Sequence, residues 1–227
     1  LTLGEPVAPT KAQQERLGGS AEPLPPARTV YMGRRIARTM HYSGAPWLIR
    51  DSREREERCS QVLKNLGVEP GMTVCDMGCG NGFYSLKLAE LVGPTGKVLA
   101  VDIQPEMLRL LKLRATEEKL DNVQPILGSL VDPYLPEGEV DLILCVDVYH
   151  EFSHPERMLV AMRRALAPDG LLVLVEYRAE DPAVPIKPLH KMSKAQILKE
   201  LVPNGFQLAR EFDGLPWQHM MFFGRDD

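Results

Sequence analysis

Cysteine is scarce in this chain: four residues among 227, at Cys59, Cys75, Cys79 and Cys145, and no two form a C-x-x-C pair. That spacing excludes a zinc ribbon or a disulfide framework. Cys75 and Cys145 lie inside apolar runs and read as small core residues. Reduced thiols of this kind point to a cytoplasmic protein. No stretch reaches the roughly 18 apolar residues that a membrane helix needs, so a membrane is not an expected partner. Surplus positive charge is also lacking. Against 31 Asp and Glu stand 27 Lys and Arg, a net charge of −4, which argues against nucleic acid as the main partner. The chain opens on Leu1 and not on Met, which leaves a removed leader such as a signal peptide open.

What is present is ordinary for a globular protein: 44% hydrophobic and 26% charged residues, in a length that suits one α/β domain with an extension. Residues Leu1–Ala27, rich in Pro, Gly, Ala and Glu, read as a poorly ordered arm. Residues 28–66 read as a cap packed on the domain, because Tyr31, Met32, Ile36, Met40, Tyr42, Trp47, Leu48 and Ile49 are too apolar for a free linker. From Arg28 to Lys64 nine basic residues face four acidic ones. The plainer reading is a solvated run of alternating charge around Arg53–Arg58, on a helix over Ser52–Leu66 capped by Ser52 and stopped by Gly67; the alternative is a basic cap that attracts an anion.

Beyond Gly67 the pattern alternates. Met72–Met77, Lys97–Asp102, Val123–Leu127, Val140–Val146 and Leu171–Glu176 read as buried strands. Helices are expected over Gly82–Val92, Pro105–Lys119, Pro155–Leu166 and Lys194–Val202. Phe206–Phe212 and Gln218–Gly224 would close the sheet as an antiparallel pair. The fold class is therefore α/β, a doubly wound, mostly parallel seven-stranded sheet with an N-terminal cap. Ligands bind such sheets at the carboxyl ends of the strands, near the topological switch point.

Directly after the first buried strand comes Asp76-Met77-Gly78-Cys79-Gly80-Asn81-Gly82. Glycines there allow a tight turn and close approach of a ligand to the backbone, and the following helix offers free N–H groups. Asp102 ends the next strand about twenty residues on, the spacing of an acid that accepts from ribose hydroxyls. A nucleoside-containing cofactor follows. Phe83 stands where a dinucleotide-binding pattern continues towards its third glycine, so a cofactor carrying an amino-acid moiety suits the loop better than a pyrophosphate.

Asp76–Gly82 resembles motif I of the class I S-adenosylmethionine-dependent methyltransferases. Val101-Asp102-Ile103 is similar to their acidic motif, and Leu166-Ala167-Pro168-Asp169-Gly170 to the turn before their fifth strand. The resemblance covers roughly Leu63–Glu176, implies a methyltransferase domain over 67–227, and implies S-adenosylmethionine as cofactor. It places Gly78, Cys79 and Gly80 along the methionine part, with Gly82 beside them, and lets Asp76 brace the loop and approach the amino group. Asp102 would take the ribose hydroxyls and Ile103 would pack on adenine. Where many members carry an acid for the adenine amino group, this chain has Gly128-Ser129-Leu130; Ser129, with Leu130 beside it, or Asp132 would serve.

The loop after the fourth strand faces the transferred methyl in this fold, so Asp147, Tyr149 and His150 are the candidate catalytic residues. His150 could act as a general base, and Asp147 could orient it or bind the cofactor's amino group. His154 reads as a helix-start residue, and a metal site built from Asp147, His150, Glu151 and His154 is not expected. Ile186–Met192 is a candidate substrate-binding segment, Tyr31, Arg34, Arg35 and Trp47 candidate cap residues, and Trp217 with His219 the start of an edge strand. The function implied is methyl transfer to a small-molecule acceptor, with a homodimer left open. An NAD(P)-dependent oxidoreductase and a non-catalytic S-adenosylmethionine-binding module are the alternatives, and an RNA methyltransferase a weaker one. An arsenite-type thiolate mechanism would need Cys59, Cys79 and Cys145 to converge.

Overall fold

The computed structural model describes residues 24–226; of the expected arm, residues 1–23 lie outside them. Val30–Tyr31 (β1) and Arg34–Arg35 (β2) pair as a short antiparallel ribbon. Three short helices follow, Ala45–Leu48 (α1), Arg53–Glu57 (α2) and Cys59–Leu66 (α3).

The single helix expected over Ser52–Leu66 is broken at Arg58, whose φ of 50° is left-handed. The break turns Cys59, Val62 and Leu66 of α3 onto the sheet. Gly67, at φ 74°, ends α3 as expected. The charged helix is solvated on one face only, through Glu54, Arg55 and Arg58. Arg53 and Glu57 are buried and paired at 2.7 Å, because the i, i+4 spacing lets both face inward together.

Strands and helices then alternate: Thr73–Met77 (β3), Phe83–Val92 (α4), Lys97–Asp102 (β4), Pro105–Glu117 (α5), Val123–Leu127 (β5), Val140–Val146 (β6), Pro155–Ala165 (α6), Leu166–Arg178 (β7), Lys191–Met192 (β8), Lys194–Leu201 (α7), Phe206–Phe212 (β9) and Gln218–Arg225 (β10). The expected turn at Leu166–Gly170 is absorbed into β7 as an irregularity. Val140 pairs with Leu166 and Leu142 with Leu171, so the intervening residues bulge out of register.

The main sheet runs β5-β4-β3-β6-β7-β10-β9, with β8 added against β7. β3 to β7 are mutually parallel where they pair, while β10 is antiparallel to both β7 and β9. β10 is thus an interior strand; the expected edge position belongs to β9. The alternation of side chains along buried strands separates two cores. Cys75, Met77, Leu99, Val101 and Ile143 point to the face covered by α6 and α7. Val74, Val98, Leu142 and Leu144 point to the face covered by α3 and α4. The chain winds outward from β3 through β4 to β5, then crosses to β6 on the other side of β3. That reversal opens the crevice in which the expected site residues lie.

Candidate active site

A cavity of about 590 Å³ occupies this crevice, within the range of small-molecule sites. Its floor is the turn after β3. Gly78 (φ 70°) and Gly80 (φ 55°) both hold left-handed backbone. A Cβ on Gly78 would press on Cγ2 and Cβ of the branched Val148, while one on Gly80 would meet only the end of the Leu48 side chain, so Gly80 is required chiefly by its left-handed backbone. The amides of Gly78 and Cys79 donate to the Val101 carbonyl. The Gly80 amide donates to Asp102 Oδ2 at 2.9 Å, and Asp102 Oδ1 accepts the Gln104 amide at 2.9 Å. One buried carboxylate therefore braces both cofactor-side loops. Burial raises its pKa above the ordinary aspartate value, opposed by these backbone amides.

Asp147 sits at the end of β6 with φ 51°, a strained conformation for a non-glycine residue. Its Oδ2 accepts from Gln218 Nε2 at 2.8 Å. Its Oδ1 is buried and has no partner, and the residue lines the cavity. Burial, with the Glu57 and Glu176 charges adding to it, pushes the Asp147 carboxyl well above the usual carboxylate range. Behind it, Glu57 accepts from Arg50, from Arg53 Nε at 2.7 Å and from the Tyr177 hydroxyl at 2.9 Å, a buried network invisible in the sequence.

At the other end of the cavity, His150 is 1% exposed. Its Nδ1 lies 2.6 Å from Glu176 Oε2 and its Nε2 3.0 Å from His190 Nδ1. Since a carboxylate only accepts, Nδ1 of His150 carries a proton, and in the neutral ring Nε2 presents a lone pair towards His190. Burial opposes charge on His150, but Glu176 outweighs it and the pKa is raised. His190 is shifted the other way, by burial and then by His150. Glu151 is pushed up to about 7, mainly by burial; its Oε1 accepts the Met40 amide at 3.3 Å.

Of the expected residues, Gly78, Gly80, Asp102, Ile103, Ser129, Leu130, Asp147 and His150 line the cavity. Four expected residues do not. Asp76 lies beneath the loop, where its Oδ2 accepts the Ser85 hydroxyl at 2.6 Å; burial lifts its pKa to about 6. Cys79 turns into a small core with Ala100, Leu108 and Leu111, and Gly82 packs against Leu111. Tyr149 is fully buried and donates to Glu200 Oε2 at 2.9 Å, facing away from the cavity.

The alternatives for adenine recognition are both engaged elsewhere. The Ser129 hydroxyl accepts the Asp132 amide and donates to the Asp132 carbonyl, and Asp132 Oδ1 accepts the Tyr134 amide. No thiol lines the cavity among the described residues, and all four cysteines are buried; the converging thiolates of an arsenite-type site are not present. His154 starts α6 and bonds to the Pro25 carbonyl. Of the four-residue metal set, only His150 and Glu151 come together, and their companion is His190.

The segment before α2 lies across the cavity. Gln104 bridges it, donating to the Met40 carbonyl and accepting the Tyr42 amide. Asn81 Nδ2 donates to the Ala45 carbonyl. Arg34 forks onto Glu200 at 2.7 and 2.9 Å and reaches the His150 carbonyl. Sequence reasoning missed Glu176, Glu200 and Gln104. The first two had a signal: each is a lone carboxylate in an apolar pattern, Val173-Leu174-Val175-Glu176 and Ile197-Leu198-Lys199-Glu200-Leu201.

A methyltransferase domain model matches residues 68–219, from just before β3 to the first residues of β10, and takes in both ends of this cavity. The chain belongs to the methyltransferase domain family. Among solved structures, a SAM-dependent methyltransferase from Aquifex aeolicus superposes with a TM-score of 0.77 at 28% identity, over 82% of this chain and 98% of that one. The demethylmenaquinone methyltransferase of Lactococcus lactis is 27% identical over 146 residues, 63% of this chain and 55% of that protein. Nocamycin O-methyltransferase of Saccharothrix syringae is 37% identical over 114 residues, 50% and 41% respectively. The chain spans about half the length of these two curated relatives. By fold and family this is a class I S-adenosylmethionine-dependent methyltransferase domain, and the nicotinamide alternative falls away. The methyltransferase's cavity fits that cofactor. The unpartnered, buried Asp147 Oδ1 is an acceptor in want of a donor, suited to an ammonium group. Gly78 and Gly80 both line the cavity and present bare backbone there, along which a chain can run.

Proposed function

We propose that this methyltransferase binds S-adenosylmethionine across the carboxyl ends of β3, β4 and β6 and methylates a small hydroxylated or quinone-type acceptor. The bound cofactor supplies an electrophilic sulfonium methyl group. Gly78 and Gly80 flank its amino-acid chain, Asp147 Oδ1 accepts from its ammonium, and Asp102 accepts from the ribose hydroxyls. Ile103 and Leu130 would give the adenine an apolar wall, and shape would hold it because Ser129 and Asp132 are engaged in their own loop. Residues 28–66 act as the cap that excludes water. The acceptor enters beside His150, His190 and Ile186, all on the cavity wall, and His150, locked by Glu176, is the residue on which its activation turns.

The observation that carries this reading is the pairing of a braced glycine turn with the unpartnered Asp147 oxygen at one cavity. The acceptor class is supported by the relatives' names, which include a ubiquinone/menaquinone C-methyltransferase 32% identical over 112 residues. Calorimetric titration with S-adenosylmethionine, S-adenosylhomocysteine and NAD tests the cofactor: saturable binding of the first two and none of NAD is expected. Turnover with a panel of quinols and phenols tests the acceptor. His150→Ala should lower turnover more than cofactor affinity; equal turnover in the two proteins would refute its role.

A further inference from the structure

Three donor atoms converge on the acceptor side of the cavity. His150 Nε2 and His190 Nδ1 are 3.0 Å apart. Glu151 Oε1 lies 4.0 Å from each of them. A point equidistant from the corners of that triangle is about 2.2 Å from every one, close to the roughly 2.0–2.2 Å bonds that zinc makes to imidazole nitrogen and carboxylate oxygen.

The surroundings repeat this fit. The other nitrogen of His150 is held by Glu176 at 2.6 Å, the outer carboxylate that fixes a ligating imidazole in its tautomer and raises its basicity. Glu151 Oε1 itself accepts the Met40 amide at 3.3 Å, which fixes the ligating oxygen beside the two rings. The three residues come from two chain segments, the turn after β6 and the turn before β8, and all three line the cavity.

We propose that His150 Nε2, His190 Nδ1 and Glu151 Oε1 form a three-ligand site for a divalent first-row transition-metal ion, with its remaining position open to the cavity. Two nitrogens and one oxygen suit zinc, cobalt, nickel or manganese better than calcium or magnesium. Ligands of a tetrahedral ion with these bond lengths stand about 3.3–3.4 Å apart. The histidine nitrogens therefore separate by a few tenths of an ångström and the carboxylate closes by about half an ångström. The proton now shared between the rings moves to His190 Nε2, leaving Nδ1 free to ligate. An acceptor hydroxyl at the open position binds as its oxyanion and gives its proton to solvent. This deepens the reading above, since His150 then acts as a ligand and not as the base.

Metal binding can be read without turnover. Chelator-treated full-length protein is dialysed against zinc, and separately titrated with cobalt while its visible absorption is followed. One equivalent per chain and a cobalt band are expected. Both should weaken at least ten-fold in His190→Gln and in Glu151→Gln, with melting midpoints unchanged. Substoichiometric binding, or equal affinity in wild type and both variants, would overturn the site. S-adenosylhomocysteine binding by the metal-free protein reports on the methyltransferase reading separately, so either can fail alone.

Discussion

Asp102→Ala removes an acceptor that serves the fold and the proposed site together. Its two oxygens each take a backbone amide at 2.9 Å, Gly80 on one side and Gln104 on the other, and both amides lose their acceptor when this buried carboxylate is removed. A hydrogen bond to a charged group contributes about 1.5–3 kcal/mol. Burial raises the Asp102 pKa and so draws both bonds towards the low end, about 3 kcal/mol for the pair. In a domain of this size that lowers the melting midpoint by about 6–12 °C. Loss of the ribose acceptor takes about 2–4 kcal/mol more from binding, a 30- to 1,000-fold rise in Kd. The assay is calorimetry with S-adenosylhomocysteine well below the variant's midpoint, with thermal denaturation in parallel. Asp102→Asn is the control. It turns an amide N–H against one of the two backbone N–H groups and should do no better than alanine. An unchanged Kd refutes the ribose assignment; a raised Kd with an unchanged midpoint refutes the brace.

Asp147→Asn should weaken S-adenosylhomocysteine about ten-fold while stabilising the free protein, because the buried charge is costly and Asn tolerates the 51° φ better; retained affinity sinks the ammonium assignment. Asp76 titrates at about 6 in the fold, above its unfolded value. Its raised pKa means the folded state binds more protons, so this residue costs stability as pH rises from about 4 to 6. Asp76→Asn keeps the acceptor for Ser85 and should gain up to about 3 kcal/mol over wild type at pH 7 and nothing at pH 3; parallel urea curves at both pH values contradict this. Tyr149→Phe leaves Glu200 one donor short and should cost about 1 kcal/mol in stability. Its turnover should stay within two-fold, and a large loss would return Tyr149 to the chemistry.

What was legible in the sequence was whatever has a period or a spacing. The buried strands alternate, the glycines of 78–82 sit at a strand–helix junction, and Asp102 follows at a fixed interval; all of these lie where the pattern put them. The break at Arg58 was not legible, because Arg53 and Glu57 look solvated until a hydroxyl 120 residues on, from Tyr177, is brought beside them. Tyr149 and His150 are neighbours in the chain, yet a single turn sends one to Glu200 and the other to Glu176. Nothing in the residue types decides which faces the cavity. His190 was one residue of a flanking segment; only the parallel addition of β8 to β7 carries it to His150.

The strap of residues across the cavity also bears on the order in which the molecule assembles. Its contacts are long-range in sequence: Tyr42 to Gln104 spans 62 residues, Met40 to Glu151 spans 111, and Arg34 to Glu200 spans 166. Contacts of such separation carry the largest loop-closure cost and form late. This stretch leaves the ribosome before every element it touches, and must wait for α7, the last α-helix among the described residues, before Arg34 meets its carboxylate. The part of the chain made early is thus the part fixed late, and until then the cofactor crevice of the nascent protein stands open.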